Sequence, residues 1–177
     1  MTAGAQRYAA VDAYYPMSGG AQAALVLATD RAFTTVVAEY TAGLAEAAPY
    51  QPGQFFRREL PALLAVLALA RPVHLVVIDG YVDLDPRGRP GLGIYLHSEL
   101  GVPVVGVAKT PFRAAVHAAP LLRGRSTRPL FITAAGIPSS EAMALVRDMA
   151  GRHRLPDALR RVDALSRQTS THAAKPT

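Results

Sequence analysis

Three acidic residues and one lysine stand at the ends of separate segments of this chain. Asp12 and Asp79 each close an apolar run, Lys109 closes another, and Glu59 follows a loop rich in proline and glycine. Carboxylates that converge repel one another, and a shared divalent cation keeps them ionised. A cation held by hard oxygen ligands beside a lysine suits the hydrolysis of a phosphodiester. The sequence therefore predicts metal-assisted phosphoester chemistry, provided that the four segments converge.

Composition favours a partner that carries negative charge. The chain has 177 residues, 19 basic and 13 acidic, and a formal net charge of +6. Arginine supplies nearly all of this charge, since lysine occurs only at Lys109 and Lys175. Many basic proteins bind no nucleic acid, so the charge alone does not decide the partner. Some arginines could contact phosphates, although arginine in a basic chain is often solvated surface: Arg57, Arg58, Arg123, Arg125 and Arg128.

The chain lacks the features of disulfide-bonded, thiolate-zinc and membrane-spanning proteins. It contains no cysteine, which also excludes a cysteine nucleophile. The amino terminus shows no basic region followed by an apolar one, so we expect no signal peptide. The longest apolar run, residues 60–70, is interrupted by Pro61 and is too short to cross a bilayer. We expect a cytoplasmic protein.

The elements that must position these side chains follow from the hydrophobic pattern. Close spacing and short turns predict an antiparallel meander of three strands at residues 7–15, 21–29 and 33–39. Beyond the loop at 49–53, leucines at helical spacing predict a helix that begins near Glu59. Further along we expect strands at 73–78, 102–107 and 130–133, a helix at 91–100, a helix capped by Ser139, and a last helix with Pro156 in its first position.

This order predicts an α/β domain built on a mixed central sheet. We expect residues 1–167 to form a single nuclease-like domain. Residues 168–177 are small and polar, which is typical of a disordered tail. The chain is expected to be a monomer, and a dimer is left open.

The motif PYQPGQFFRRE, from Pro49 to Glu59, resembles the motif of the endonuclease V family. In that family a proline-tyrosine-x-proline-glycine loop precedes an arginine-glutamate pair. The order of the other motifs is also similar: an early Val-Asp at Asp12, an Asp-Gly pair at Asp79, and Gly-Val-Ala-Lys ending at Lys109. The segment from Arg154, with Arg160 and Asp163, is similar to the last helix of the family, and the resemblance covers residues 11–167.

The resemblance implies an RNase H-like fold, with helices on both faces of the sheet. It implies a metal-dependent endonuclease that cuts DNA or RNA near deaminated purines, chiefly inosine, at the second phosphodiester on the 3′ side. Asp12, Glu59 and Asp79 would hold magnesium or manganese, and Lys109 would stabilise charge on the scissile phosphate. Tyr50 would enter the helix as a wedge while the base is extruded. The resemblance also implies that Tyr50, Pro52, Gly53 and Gly80 contact the substrate.

The sequence departs from the family pattern at its histidines. Where the family has histidines after Asp-Gly, residues 81–87 read YVDLDPR and add Asp83 and Asp85, which we interpret as solvated loop acids. A late family histidine corresponds to Ile137. The segment between residues 109 and 128 is shorter than usual, and we expect it to lack a strand or hairpin.

Alternatives therefore remain open. Taken singly, Asp12 and Asp79 are better explained as ordinary turn acids, and Tyr50 could equally be a packed loop residue. The missing histidines favour a second hypothesis, in which the chain is a catalytically impaired nucleic-acid-binding homologue. A third hypothesis is a phosphoesterase acting on small phosphates. The choice between DNA and RNA is also open.

Overall fold

The computed structural model describes residues 6–168, and these form one seven-stranded mixed sheet. The strands lie in the order β3-β2-β1-β4-β5-β7-β6. Their bounds are β1 Tyr8–Tyr14, β2 Ala21–Ala28, β3 Val36–Leu44, β4 Leu75–Asp79, β5 Val104–Ala108, β6 Ala119–Leu121 and β7 Leu130–Ala135. The helices are α1 Phe56–Ala68, α2 Leu92–Leu100, α3 Ser139–Asp148 and α4 Asp157–Ser166.

The sheet combines an antiparallel meander with a parallel centre. Strands β1, β2 and β3 pair antiparallel, as the short turns predicted. Strands β1, β4 and β5 pair parallel, while β7 runs antiparallel to both β5 and β6. The carboxyl ends of β1, β4 and β5 therefore meet at one edge of the sheet, which is where the acids and the lysine stand.

Each face of the sheet is covered by two helices. Alternate strand residues such as Ala9, Val11 and Ile78 pack with Leu63 and Leu67 of α1 in one core cluster, which α2 also joins. The strand residues between them, such as Ala10 and Val77, face α3 and α4 and form the other cluster. The helices contribute Val146, Leu159 and Val162 to it. Because side chains alternate along a strand, the two clusters lie on opposite faces, and the predicted coverage of both faces is confirmed.

Two elements begin elsewhere than the sequence pattern indicates. The third strand, predicted at 33–39, occupies Val36–Leu44. The Asp30 carboxylate instead accepts hydrogen bonds from the N–H groups of Thr34 and Thr35, and this local turn delays the strand. Helix α1 begins at Phe56 rather than near Glu59, because N–H groups of residues 57 and 58 already bond to carbonyls of residues 54 and 55.

Three smaller predictions are wrong. Ser139 does not cap α3, because Pro138 occupies the cap position and Ser139 is the first helical residue. Pro156 likewise precedes α4 instead of opening it. The segment expected to lack a strand contains the three-residue β6, which pairs with β7. The predicted tail, residues 168–177, lies outside the described range apart from Gln168.

Across residues 6–168, none of the helices has the length and apolar character needed to span a membrane.

Two leucines at the end of α1 allow a matched test of the packing. Leu67 is fully buried, whereas Leu69 is 54% exposed. Leu67→Ala should lower the free energy of unfolding by about 2–5 kcal/mol, because it removes buried surface and leaves a cavity. Leu69→Ala should change it by less than about 0.5 kcal/mol. Urea denaturation followed by circular dichroism measures both, and equal losses in the two variants would contradict this packing.

Candidate active site

The pairing of β1, β4 and β5 brings two of the predicted acids side by side. Val11 of β1 pairs with Ile78 of β4, so the next residues, Asp12 and Asp79, are neighbours across the parallel pair. Asp79 in turn pairs with Val107 of β5, two residues before Lys109. The register of the sheet therefore places Asp12, Asp79 and Lys109 at the same edge.

Lys109 forms an ion pair with Asp79. Its Nζ lies 2.5 Å from Oδ2 of Asp79, and the side chains are 47% and 16% exposed, respectively. Partial burial lowers the pKa of Lys109, but the hydrogen bond and the charge of Asp79 outweigh it and raise that pKa overall. The lysine is thus held as a cation at the end of β5, with part of its surface open to solvent.

Glu59 enters the same site from the other side, on α1. The side chain is largely buried, and Glu59 belongs to the first turns of the helix. Burial raises its pKa to about 8, and the charges of Asp12 and Asp79 add to that rise. Burial followed by the charge of Asp79 raises the pKa of Asp12 to about 6, although a 2.8 Å hydrogen bond from the Ala13 N–H opposes this. The charges of Asp12 and Asp79 therefore disfavour ionisation of Glu59, and the charge of Asp79 disfavours ionisation of Asp12.

The donor set has the chemistry of a site for a hard cation. Asp12, Glu59 and Asp79 offer oxygen ligands alone, as magnesium and manganese prefer. In residues 6–168, however, no three acidic or histidine side chains already stand in ligating geometry around one point. Asp79 is turned toward Lys109, and Asp12 accepts the Ala13 N–H. The side chains fit a cation by type and position, while their present rotamers satisfy hydrogen bonds within the chain.

A fourth carboxylate, Asp163, belongs to the same surroundings and was not among the predicted site residues. It lies on α4, which packs against β1, and its charge raises the pKa of both Asp12 and Lys109. Arg167 pairs with it at 3.0 Å. Its sequence signal is periodicity, because Asp163 follows the buried Leu159 by four residues and precedes the buried Ser166 by three. It is an acid on the sheet-facing side of an amphipathic helix.

A cleft of about 240 Å³ opens beside the acids, and we call it the acid cleft. Its lining includes Glu59, Asp79, Gly80, Gly53 and Tyr81. Tyr50 is 62% exposed, and its ring lies edge-on to Phe55, which also lines the cleft, at 6.4 Å between centroids. Tyr50 is thus an exposed aromatic at the rim, and Pro52 is exposed in the same loop.

The loop at residues 81–87, where the sequence departs from the family pattern, forms contacts of its own. The Tyr81 hydroxyl donates to the Thr110 carbonyl at 2.8 Å and accepts the Phe112 N–H at 2.9 Å. Asp83 pairs with Nε2 of His117 at 2.8 Å, although no spacing in the sequence marks His117 as a partner. The loops that follow Asp79 and Lys109 are therefore tied together. Asp85 accepts N–H groups of its own loop, as expected of a turn acid.

Similarity to known proteins agrees with this architecture. The family model of endonuclease V matches residues 2–133. The endonuclease V of Streptomyces avermitilis is 34% identical over 191 residues, covering 96% of this chain and 83% of that protein. The Streptomyces coelicolor protein is also 34% identical, covering 97% of this chain and 82% of its own length.

Solved structures give the same result. The crystal structure of the Streptomyces avermitilis endonuclease V has a TM-score of 0.77 and 35% identity, covering 93% of this chain and 81% of that one. Human ENDOV has a TM-score of 0.75 and 28% identity, covering 93% and 84%. The fold and its acidic edge define the class as a nuclease of RNase H-like fold. The chain belongs to the endonuclease V family, and the expected fold and endonuclease class are confirmed.

The raised pKa of Glu59 predicts how stability depends on pH without a metal. Between its ordinary pKa of 4.5 and its folded value of about 8, the folded protein keeps a proton that the unfolded chain releases. This contribution to stability is complete below the lower value and is lost as the pH rises through the higher one. In EDTA, the free energy of unfolding should therefore fall with pH, by up to about 1.4 kcal/mol per pH unit for this one group.

Chemical denaturation between pH 5 and pH 9 would measure this slope. Glu59→Gln should flatten it, and Glu99→Gln, which changes an exposed glutamate of α2, should keep the wild-type slope. A Glu59→Gln variant with the full wild-type slope would show that Glu59 is not the group that titrates.

Proposed function

We propose that this chain is a metal-dependent endonuclease that hydrolyses DNA or RNA beside a deaminated purine, with inosine as the recognised base. The observation that carries the proposal is the placement of Asp12, Glu59 and Asp79 at one sheet edge, with Lys109 bonded to Asp79. The cut would fall at the second phosphodiester on the 3′ side of the lesion.

A structural relative supports the choice of substrate. Ciona intestinalis endonuclease V was solved in complex with a 24mer DNA containing an inosine followed by a ribo-adenosine, and its TM-score to this chain is 0.78. At 18% identity that likeness shows the fold, so inosine is proposed here for this chain on the strength of the family and the acid cleft.

Magnesium or manganese fits the acids at the edge of the sheet. Asp12, Glu59 and Asp79 would hold it, with Asp163 as a further carboxylate in the same surroundings. Burial and mutual repulsion raise the pKa values of Glu59 and Asp12, and a divalent cation would offset both effects. When bound, such a cation polarises the phosphate and favours the ionisation of water.

The remaining residues bind and orient the substrate. Lys109 presents a positive charge that would neutralise the scissile phosphate, and Asp79 fixes the position of its ammonium group. Gly53 and Gly80 line the acid cleft, where the absence of side chains leaves room for an extruded base. Tyr50 at the rim would fill the gap left in the stack.

Cleavage of labelled oligonucleotides tests the proposal. Single-stranded DNA and RNA containing one inosine should be cut in manganese and left intact in EDTA, with 3′-hydroxyl and 5′-phosphate ends. Asp79→Asn should lower the rate by about 100-fold or more, because it removes a metal ligand and the partner of Lys109. Asp148→Asn, which changes an exposed acid at the end of α3, should cut at the wild-type rate.

The other hypotheses predict different outcomes of the same assay. If no inosine substrate is cut at high enzyme concentration in manganese, the hydrolase proposal fails. Specific binding of inosine oligonucleotides without cleavage would then identify the impaired homologue. Faster hydrolysis of p-nitrophenyl phosphate than of any oligonucleotide would identify the small-phosphate esterase.

Tyr50 offers a separate test of how the lesion is engaged. Tyr50→Ala should weaken the binding of inosine oligonucleotides by about 1–3 kcal/mol, the contribution expected from one base stacked on an aromatic ring. Its melting temperature should stay within about 2 °C of wild type, because the side chain is 62% exposed. Tyr50→Phe keeps the ring and should bind like wild type. A large fall in the melting temperature of Tyr50→Ala would instead identify a packed loop tyrosine.

A further inference from the structure

A second concave surface lies outside the acid cleft, and it is lined by basic side chains. This basic groove has a volume of about 730 Å³ and is formed by Gly124, Arg125, Ser126, Arg152, His153 and Arg154. No carboxylate belongs to its lining. Within residues 6–168, Arg125, Arg152 and Arg154 form no ion pair, whereas five other arginines do. The groove therefore keeps uncompensated positive charge.

The buried side chain of Arg123 holds together the two loops that form this groove. Its guanidinium group is buried and donates to the carbonyls of Val146 at 3.1 Å, Gly151 at 2.9 Å and His153 at 2.5 Å. It also bonds to the carbonyl of Met149. These bonds fasten the loop before α4 to the loop between β6 and β7.

The two loops also touch directly. Gly124 has a φ of +64°, and a Cβ there would lie 2.5 Å from the Arg152 carbonyl oxygen. The carboxylate of Asp157 faces Gly151 and pairs with Arg160 at 3.5 Å. The groove is thus held in place by backbone contacts, and the exposed Arg125 and Arg152 are left available for a ligand.

Arg154 connects the groove to the proposed catalytic lysine. Its Nη2 donates to the Lys109 carbonyl at 2.5 Å and to the Pro129 carbonyl at 2.7 Å. The groove therefore begins beside the end of β5. The acid cleft is lined by Asp79, the partner of Lys109, and by Glu59 and Gly53 from α1 and the loop before it. A nucleic-acid strand that crosses Asp79 and Lys109 would therefore connect the cleft with the groove.

We propose that the basic groove binds the phosphodiester backbone of the substrate strand on the 3′ side of the cut. The inference rests on the proposed function, which places the lesion in the acid cleft and the scissile phosphate at Lys109. The strand leaves Lys109 in the 3′ direction and meets Arg125 and Arg152, which bind phosphates through charge and forked N–H groups. Arg154, whose Nη2 is bonded to backbone carbonyls, adds positive charge beside Lys109. Such contacts carry no base preference and position the strand.

Fluorescence anisotropy in EDTA tests the groove, with three single-stranded DNAs that each contain one inosine. One ends about three nucleotides 3′ of the inosine, one extends about twelve nucleotides further on the 3′ side, and one carries the same extension on the 5′ side. The wild type should bind the 3′-extended DNA at least about tenfold more tightly than the short one. The double variant Arg125→Ala/Arg152→Ala should lose that advantage and bind the short DNA as the wild type does.

Salt dependence and a control variant sharpen the test. The plot of log affinity for the 3′-extended DNA against log salt should become shallower by about 0.7 for each lost phosphate contact. Arg71→Ala removes an exposed arginine that precedes β4, at the opposite edge of the sheet, and should behave as wild type.

Each other outcome is decisive. If the double variant keeps the full 3′ advantage, or loses affinity equally on all three DNAs, the groove proposal fails while the proposed function stands. A loss confined to the 5′-extended DNA overturns the assigned direction. If the wild type neither binds nor cuts any inosine substrate, the proposed function fails, and the groove proposal fails with it.

Discussion

Three carboxylates lie close together in a site where burial and their mutual repulsion both oppose ionisation of Glu59 and Asp12. The parallel pairing of β1 and β4 leaves Asp12 and Asp79 side by side, and the packing of α1 on the sheet brings Glu59 toward them. Burial deprives these groups of water, so the pKa of Glu59 rises to about 8 and that of Asp12 to about 6. Lys109 compensates only Asp79 directly. A fold that maintains such an arrangement without a cation loses stability at neutral pH, which is the physical reason for proposing a divalent cation at this edge.

Much of the fold could be predicted because its signals are local. Continuous apolar runs mark β4 and β5, short turns mark the meander, and leucines at helical spacing mark α1. The errors arose where a local turn or a proline shifts the end of an element away from the position that the hydrophobic pattern indicates. The Asp30 carboxylate delays β3 by ordering a turn, and a proline-flanked start displaces Ser139 from the cap. The short β6 carries almost no pattern, since it forms only by pairing with β7.

The residues of the site also fall into two groups, those that the sequence predicted and those that only the structure shows. Asp12, Glu59, Asp79 and Lys109 could be selected because each closes a segment of recognisable type and their order resembles a known family. Asp163 was missed because its position depends on how α4 docks against β1. The Tyr81 and His117 contacts that join the two site loops link residues about thirty positions apart, and no spacing rule predicts them. The basic groove depends on Arg123, which the sequence left open as either a phosphate contact or a solvated surface residue and which is in fact buried.

Manganese binding followed by isothermal titration calorimetry tests whether Asp12, Glu59 and Asp79 share a cation. At pH 7, we expect saturable binding that releases protons, because Glu59 and part of Asp12 are protonated before the cation arrives. The released protons would appear as a heat that changes with the ionisation enthalpy of the buffer, and Glu59→Gln would reduce that change. Saturable binding that weakens strongly in Asp79→Asn would support a cation shared by the carboxylates. The absence of saturable binding in the wild-type protein would show that the carboxylates do not share a cation.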